Sequence, residues 1–320
     1  MFRFRQVHKP VKDFLLRSGK LRLISTLKEM TENTTKRVFF VRHGEGEHNV
    51  AFHRGDRKSG GRIRDPCLTD VGKQQATSIS PDTHPVLKDT EIELIVSSPL
   101  SRTIQTTILV FKEKLETDHP EVAGDQVEEP SQSEKQRERK IILHPDMQET
   151  GDVNCDTGKP LEETWDNLKT SVEAHIKLQP SMLCTKLLDI NPKWHKKEGD
   201  YAHDGKKIKA RLRRFTKWLL NRPERNIAIV GHHNIFLALL EFSFMNCEVR
   251  EYALDVSMAQ TLADQETDAI LKAWRPVYPL PLAADSNNLS NAEKEHLRIH
   301  LPYCVEKFTL WGYPIPENFR

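Results

Sequence analysis

No stretch of this 320-residue chain reaches ~18 consecutive apolar residues, the longest run lying around Ile235 to Leu240, so no transmembrane segment is expected. The N-terminus also lacks the apolar core and small-residue cleavage site of a secretory signal. The five cysteines, Cys67, Cys155, Cys184, Cys247 and Cys304, are far apart and contain no CxxC pair. That excludes a zinc ribbon and suits free thiols in a reducing compartment, with a cytoplasmic address as the default and the nucleus as the alternative. Charge is nearly balanced, 48 Lys and Arg against 46 Asp and Glu, so no global field points to nucleic acid or a membrane as the main partner. Of the 14 histidines none falls in an HExxH motif, and His43, His48 and His53 are spaced wrongly for one helical face, so no metal is expected. Gly158-Lys159 is followed by Pro160 and lacks the upstream glycine of a P-loop, so a fused kinase is not supported.

What is present is periodic. Apolar runs bounded by turn residues at Val38 to Val41, Ile92 to Val96, Ile141 to Leu143 and Ile227 to Val230 predict strands, with helical spacing between them. The fold class that follows is α/β, three-layer, with a mostly parallel central sheet covered by helices on both faces. Ser98-Pro99 predicts a helix start, with Leu100, Ile104, Ile108 and Phe111 on one face and Arg102 in the first turn. A second helix carries Ile208, Leu212, Phe215 and Leu219 and stops at Asn221-Arg222-Pro223.

Three regions divide the chain. Residues 1–35 are a basic N-terminal extension interleaved with apolar residues, read as packing on the domain or lying on an acidic surface, with an organelle transit peptide as the alternative. Residues 36–255 form the catalytic domain, interrupted at 112–140, where 15 of 29 residues are charged and a disordered or loosely helical insertion is expected. Residues 256–320 form a C-terminal extension with a Pro-rich loop and a capping box from Ser290 to Glu293. The polar stretch 191–217 reads as a solvated face and a helix with snorkelling lysines. The dipeptide His203-Asp204 lies in that stretch and is set aside as a proton donor.

The chemistry sits where strands end. Open α/β sheets place ligands beyond strand carboxyl ends. Arg42-His43, Ser97-Ser98 leading to Arg102, Glu149, and His232 all emerge there. Two arginines, two histidines and a carboxylate suffice for phosphoryl transfer without a metal or cofactor: cations for the equatorial oxygens, an imidazole nucleophile, and an acid for the leaving alcohol. Gly44 lets a ligand approach the backbone.

The ordered segments Val41-Arg42-His43-Gly44-Glu45 with Asn49, Asp65 to Ala76, Ser97 to Thr103, Gln148-Glu149-Thr150 and Val230-Gly231-His232 resemble the histidine phosphatase superfamily, in its phosphoglycerate mutase-like branch. The resemblance covers residues 38 to about 250 and implies that fold. It implies His43 as the phosphorylated nucleophile, Arg42, Asn49, Arg102 and His232 as the phosphate pocket, and Glu149 as proton donor. Gly46 and His48 depart from the glycolytic mutases, and Cys155-Asp156-Thr157-Gly158 is closer to eukaryotic mutase-like phosphatases. His233 replaces a common glycine and reads as a structural hydrogen-bonding residue.

The expected function is hydrolysis of a small phosphomonoester through phosphohistidine. The alternatives are a mutase-type phosphotransferase, or a scaffold retaining a phosphatase domain. Loops at Phe52 to Arg64 and Asp152 to Glu163 would set specificity, and Arg54, Arg57, Lys58, Arg62 and Arg64 are candidates for a second anionic group.

Overall fold

The computed structural model of the protein describes residues 35–116, 140–263, 268–277, 304–311 and 315; the basic stretch before 35, the charged stretch 117–139 and the capping box 290–293 lie outside them. One seven-stranded sheet runs in the order β4-β3-β2-β5-β1-β6-β7. Its strands are β1 (Thr35–Arg42), β2 (Leu94–Ser97), β3 (Ile141–Leu143), β4 (Leu183–Cys184), β5 (Asn226–Gly231), β6 (Val249–Asp255) and β7 (Trp274–Pro276). Strands β4, β3, β2, β5 and β1 are parallel, while β6 and β7 close one edge antiparallel. The helices used below are α1 (Glu47–His53), α2 (Arg57–Arg62), α3 (Asp70–Thr77), α4 (Ser101–Glu116), α5 (Leu161–Val172), α6 (Gly205–Leu220) and α7 (His233–Leu240).

The continuous apolar run of β1 is explained by burial on both faces. Val38 and Phe40 point into one apolar cluster with Val96, Ile227, Ile229 and the α6 residues Ile208, Leu212, Phe215 and Leu219. Phe39 and Val41 point into a second, with Ile95, Ala228, Val230 and the α4 residues Ile104 and Ile108. The period-2 alternation therefore assigns each central strand to two cores, giving the three layers. Phe40 anchors the first cluster, with edge-on rings of Phe236, Tyr252 and Trp274 at 5.1, 5.6 and 5.4 Å.

Two expectations about element bounds are corrected. The helix α4 starts at Ser101, three residues after the Ser98-Pro99 signal, because Asp65 caps it from a distant loop. Its Oδ1 accepts from the Ser101 amide at 3.0 Å and its Oδ2 from the Ser101 hydroxyl at 2.7 Å, which leaves Ser98 for another partner. Residues 112–116, expected in the charged insertion, instead complete α4 with Leu115 buried. Residues beyond 255 add β7 to the sheet, and Phe308 and Trp311 join the Phe40 cluster.

His144 follows β3 into the first core, edge-on to Phe215 at 4.9 Å and to Trp218 at 4.7 Å. Burial holds its imidazole down to about 3 from an ordinary 6.5, with Arg214 adding to the effect. The folded value lies below the unfolded one, so stability from neutral His144 is full above pH 6.5 and drains as pH falls towards 3. Wild type should therefore lose about 2 kcal/mol relative to His144→Asn between pH 7 and pH 5, read from urea denaturation at each pH. Parallel stability profiles for the two proteins would contradict this.

Candidate active site

The parallel strands end together, and their ladder carries on for one residue past each end. The His43 amide donates to Gly231 O at 3.0 Å, the Ser98 amide to Val230 O at 3.0 Å, and the His144 amide to Ser97 O at 2.8 Å. His43, Ser98 and His232 are thereby fixed side by side, and the first turn of α4 adds Arg102 above them. His43 lies with its Nδ1 2.6 Å from Gly44 O, so Nδ1 carries the proton and donates, leaving the lone pair on Nε2. Arg102 Nε donates to that Nε2 at 3.2 Å. Burial, followed by the charges of Arg102 and Arg42, holds His43 well below the usual imidazole value, so the ring is neutral.

His232 packs edge-on to His43 with ring centroids 5.2 Å apart. Its Nε2 is 2.7 Å from the Ser98 hydroxyl, which also accepts from the Leu100 amide at 3.4 Å. Its Nδ1 is buried with no partner among the described residues. Arg102 is held by Cys155 O at 2.7 Å and by the Asp156 carboxylate at 3.4 Å. Arg42 is anchored to Phe244 O at 2.6 Å. Asn49 Oδ1 accepts from the Gly46 amide at 2.9 Å, tying the start of α1 to the loop behind His43. Gly44 serves packing: a Cβ there would stand 2.5 Å from Gly72 O, and its own amide donates to Thr106 Oγ1 at 3.1 Å.

Glu149 meets this group from the end of β3. One carboxylate oxygen accepts from the Thr150 and Ile235 amides at 2.8 and 3.1 Å, and the other from the Asn234 amide at 3.1 Å. Two of those amides open α7, directly after His232. Burial and then the like charge of Asp156 raise the Glu149 pKa, against the opposing pull of the backbone amides, so its proton is retained to higher pH than in an ordinary carboxyl.

The segment 194–211, expected to be a solvated face, clamps the loop after β3 that bears Glu149. The main-chain oxygens of Gln148, Glu149 and Thr150 accept in turn from Arg211 Nη2 at 3.3 Å, Lys197 Nζ at 2.7 Å and His203 Nδ1 at 2.7 Å. The Gln148 side chain returns a bond to Trp194 O at 2.8 Å. Burial and Arg211 bring Lys197 down to about 7. Asp204, which follows His203 in the dipeptide set aside as a proton donor, caps α6 by accepting from the Lys207 amide at 3.0 Å.

The candidate loops do adjoin: Asp65 N donates to Asn154 O at 3.3 Å and Arg64 to Gly158 O at 3.3 Å. Arg54, Arg57, Lys58, Arg62 and Arg64 are exposed. His233 Nδ1 donates to Phe244 O at 3.2 Å, consistent with a structural role. Among the described residues no cluster could hold a metal ion. Sequence reasoning missed Lys197 and Arg211, and placed Ser98 at the strand end without its bond to His232. Nothing distinguishes Lys197 from its surface neighbour Lys196, and Ser98 was assigned to a helix cap.

The family profile of the histidine phosphatase superfamily (branch 1) matches residues 38–185. The chain is similar to phosphoglycerate mutase-like protein 1 of Arabidopsis thaliana, 26% identical over 235 residues, covering 68% of this chain and 81% of the relative. It is also similar to a Schizosaccharomyces pombe protein named a probable phosphatase, 28% identical over 200 residues, covering 62% and 74%. Among solved structures, mycobacterial glucosyl-3-phosphoglycerate phosphatase is 16% identical with a TM-score of 0.38, covering 76% of this chain and 97% of that one.

The Gly44 contact makes a prediction that needs no substrate. Gly44→Ala drives a methyl into the Gly72 backbone, which cannot swing aside, and should cost about 1–3 kcal/mol in urea denaturation. Unchanged stability would show that the two loops are free to separate.

Proposed function

We propose that this chain, which belongs to the histidine phosphatase superfamily, hydrolyses a small-molecule phosphomonoester through a phosphohistidine on Nε2 of His43. The observation that carries the reading is the state of His43, a buried neutral imidazole whose Nδ1 is committed to Gly44 O and whose Nε2 faces a guanidinium. A nucleophile needs that lone pair aimed at the phosphorus. Arg102 Nε, now on Nε2, would move its charge to a phosphoryl oxygen as the substrate enters. Arg42 and His232, protonated at Nδ1, would supply further donors for equatorial oxygens, where negative charge spreads during transfer.

In the first half-reaction the Nε2–P bond forms as the ester P–O bond breaks, and Glu149 gives its proton to the departing alkoxide. Water then attacks phosphorus, its proton passes to the Glu149 carboxylate, and the N–P bond breaks to restore His43. Glu149 is therefore needed in both protonation states, which suits a carboxyl lifted by Asp156 and burial while tied to α7 amides. Matches to phosphatase-named proteins support hydrolysis, and the intact arginine and histidine set counts against a pure scaffold.

Glu149→Gln tests the assignment through the leaving group. The value of kcat/KM reports steps up to formation of the phosphoenzyme, so dephosphorylation does not enter. For an alkyl phosphate it should fall about a hundredfold or more, and for p-nitrophenyl phosphate by a far smaller factor, because p-nitrophenolate leaves without protonation. Equal losses on both substrates would remove Glu149 from the donor role and turn attention to Asp156.

A further inference from the structure

A third imidazole borders His43, and the mechanism above leaves it unused. His48 is 4% exposed, and its ring centroid lies 5.8 Å from that of His43 at a tilt of 45°. Its Nδ1 is buried with no hydrogen-bond partner among the described residues. A buried polar nitrogen left without a partner costs free energy that water would have recovered. Its position is nonetheless closely built. Phe52 stands edge-on to it at 5.4 Å and 89°. A Cβ on Gly46 would lie 2.8 Å from both Nδ1 and Cε1 of the His48 ring, and a Cβ on Gly60 would lie 2.6 Å from the Phe52 ring. Two glycines thus make room for an imidazole whose Nδ1 has no hydrogen-bond partner among the described residues.

What surrounds it points to an anion. Arg102 Nε reaches His43 Nε2 at 3.2 Å and the His48 ring lies 5.8 Å from that same imidazole, and the charges of Arg102 and Arg42 add to burial in disfavouring a positive charge on either ring. A neutral imidazole there carries one N–H and one lone pair. The oxygens of a phosphoryl group on His43 Nε2 are the natural acceptors for that N–H. We propose that His48 is a further phosphoryl-binding residue, donating a ring N–H to a non-bridging oxygen alongside Arg42 and Arg102. This rests on the phosphatase reading.

The test uses p-nitrophenyl phosphate as substrate and orthovanadate as the anion probe, on wild type, His48→Ala, His48→Asn and His48→Gln, with the melting temperature of each. His48→Ala should need about tenfold or more vanadate for half-inhibition and show a raised KM, with a melting temperature within a few degrees of wild type. The amide whose nitrogen best replaces the donor should recover most of the affinity. Equal vanadate affinity in wild type and His48→Ala overturns the proposal and leaves the phosphatase reading standing. A wild type that neither turns over the substrate nor binds vanadate overturns both. If His48→Ala does not fold, the ring ¹⁵N resonances of His48 in wild type decide, assigned by their loss in His48→Gln: movement on adding vanadate supports the proposal, and unchanged resonances overturn it.

Discussion

The bond from His43 Nδ1 to Gly44 O, 2.6 Å long, decides which nitrogen of the ring carries the lone pair, and much of the surrounding structure keeps it in place. It ties the ring to the segment that follows β1. That segment is pressed onto the Gly72 backbone with no room for a methyl, and Gly72 is in turn pressed onto Glu45 O. Thr69 caps α3 and also donates its hydroxyl to the Glu45 carboxylate at 2.8 Å, so one helix start braces the loop. The sheet supplies the rest, since the His43 amide bonds to Gly231 and brings His232 alongside.

Electrostatics then favour one kind of ligand. Arg42, Arg102 and Lys197 converge with three neutral imidazoles, and Glu149 and Asp156 are the acids that face them. The Glu149 carboxylate is occupied by three backbone amides and Asp156 by Arg102, leaving the His43 end of the site cationic. A dianion that displaced Arg102 from Nε2 would relieve that imbalance at His43, the proposed point of attack. Holding the acid with main-chain amides and the 194–211 clamp keeps it from collapsing onto the arginines, which would neutralise both.

Much of this was legible in the residues because the central strands are buried on both faces and end in polar groups. Val38 to Val41 could hardly be anything but a strand, and the positions of Arg42, His43, Arg102 and His232 follow from strand ends. The edge was harder. Strand β6 carries Arg250, Glu251 and Asp255, and their charge is explained only by the partners each meets in the fold: Glu248 for Arg250, Arg37 at 2.6 Å for Glu251, and Arg275 at 3.3 Å for Asp255. Strand β4 has two residues, too short for any periodic signal. The Ser98-Pro99 start was misread because a cap supplied by Asp65, 36 residues away, overrides a local preference. Lys197 and Arg211 looked like surface charge, since a half-buried lysine differs from an exposed one only in what folds over it. Gly44 was placed in the site for its openness to ligand, whereas its contact is with Gly72.

The central claim is that phosphate passes covalently through one nitrogen of one residue. Wild type mixed with a ³²P-labelled phosphomonoester, denatured within one turnover in alkali and digested, should carry label on the peptide containing His43, stable to base and lost in acid. Label on that peptide, absent from His43→Ala, is the predicted result. Turnover with no label on His43 under rapid quenching, or label on another residue, would contradict the account.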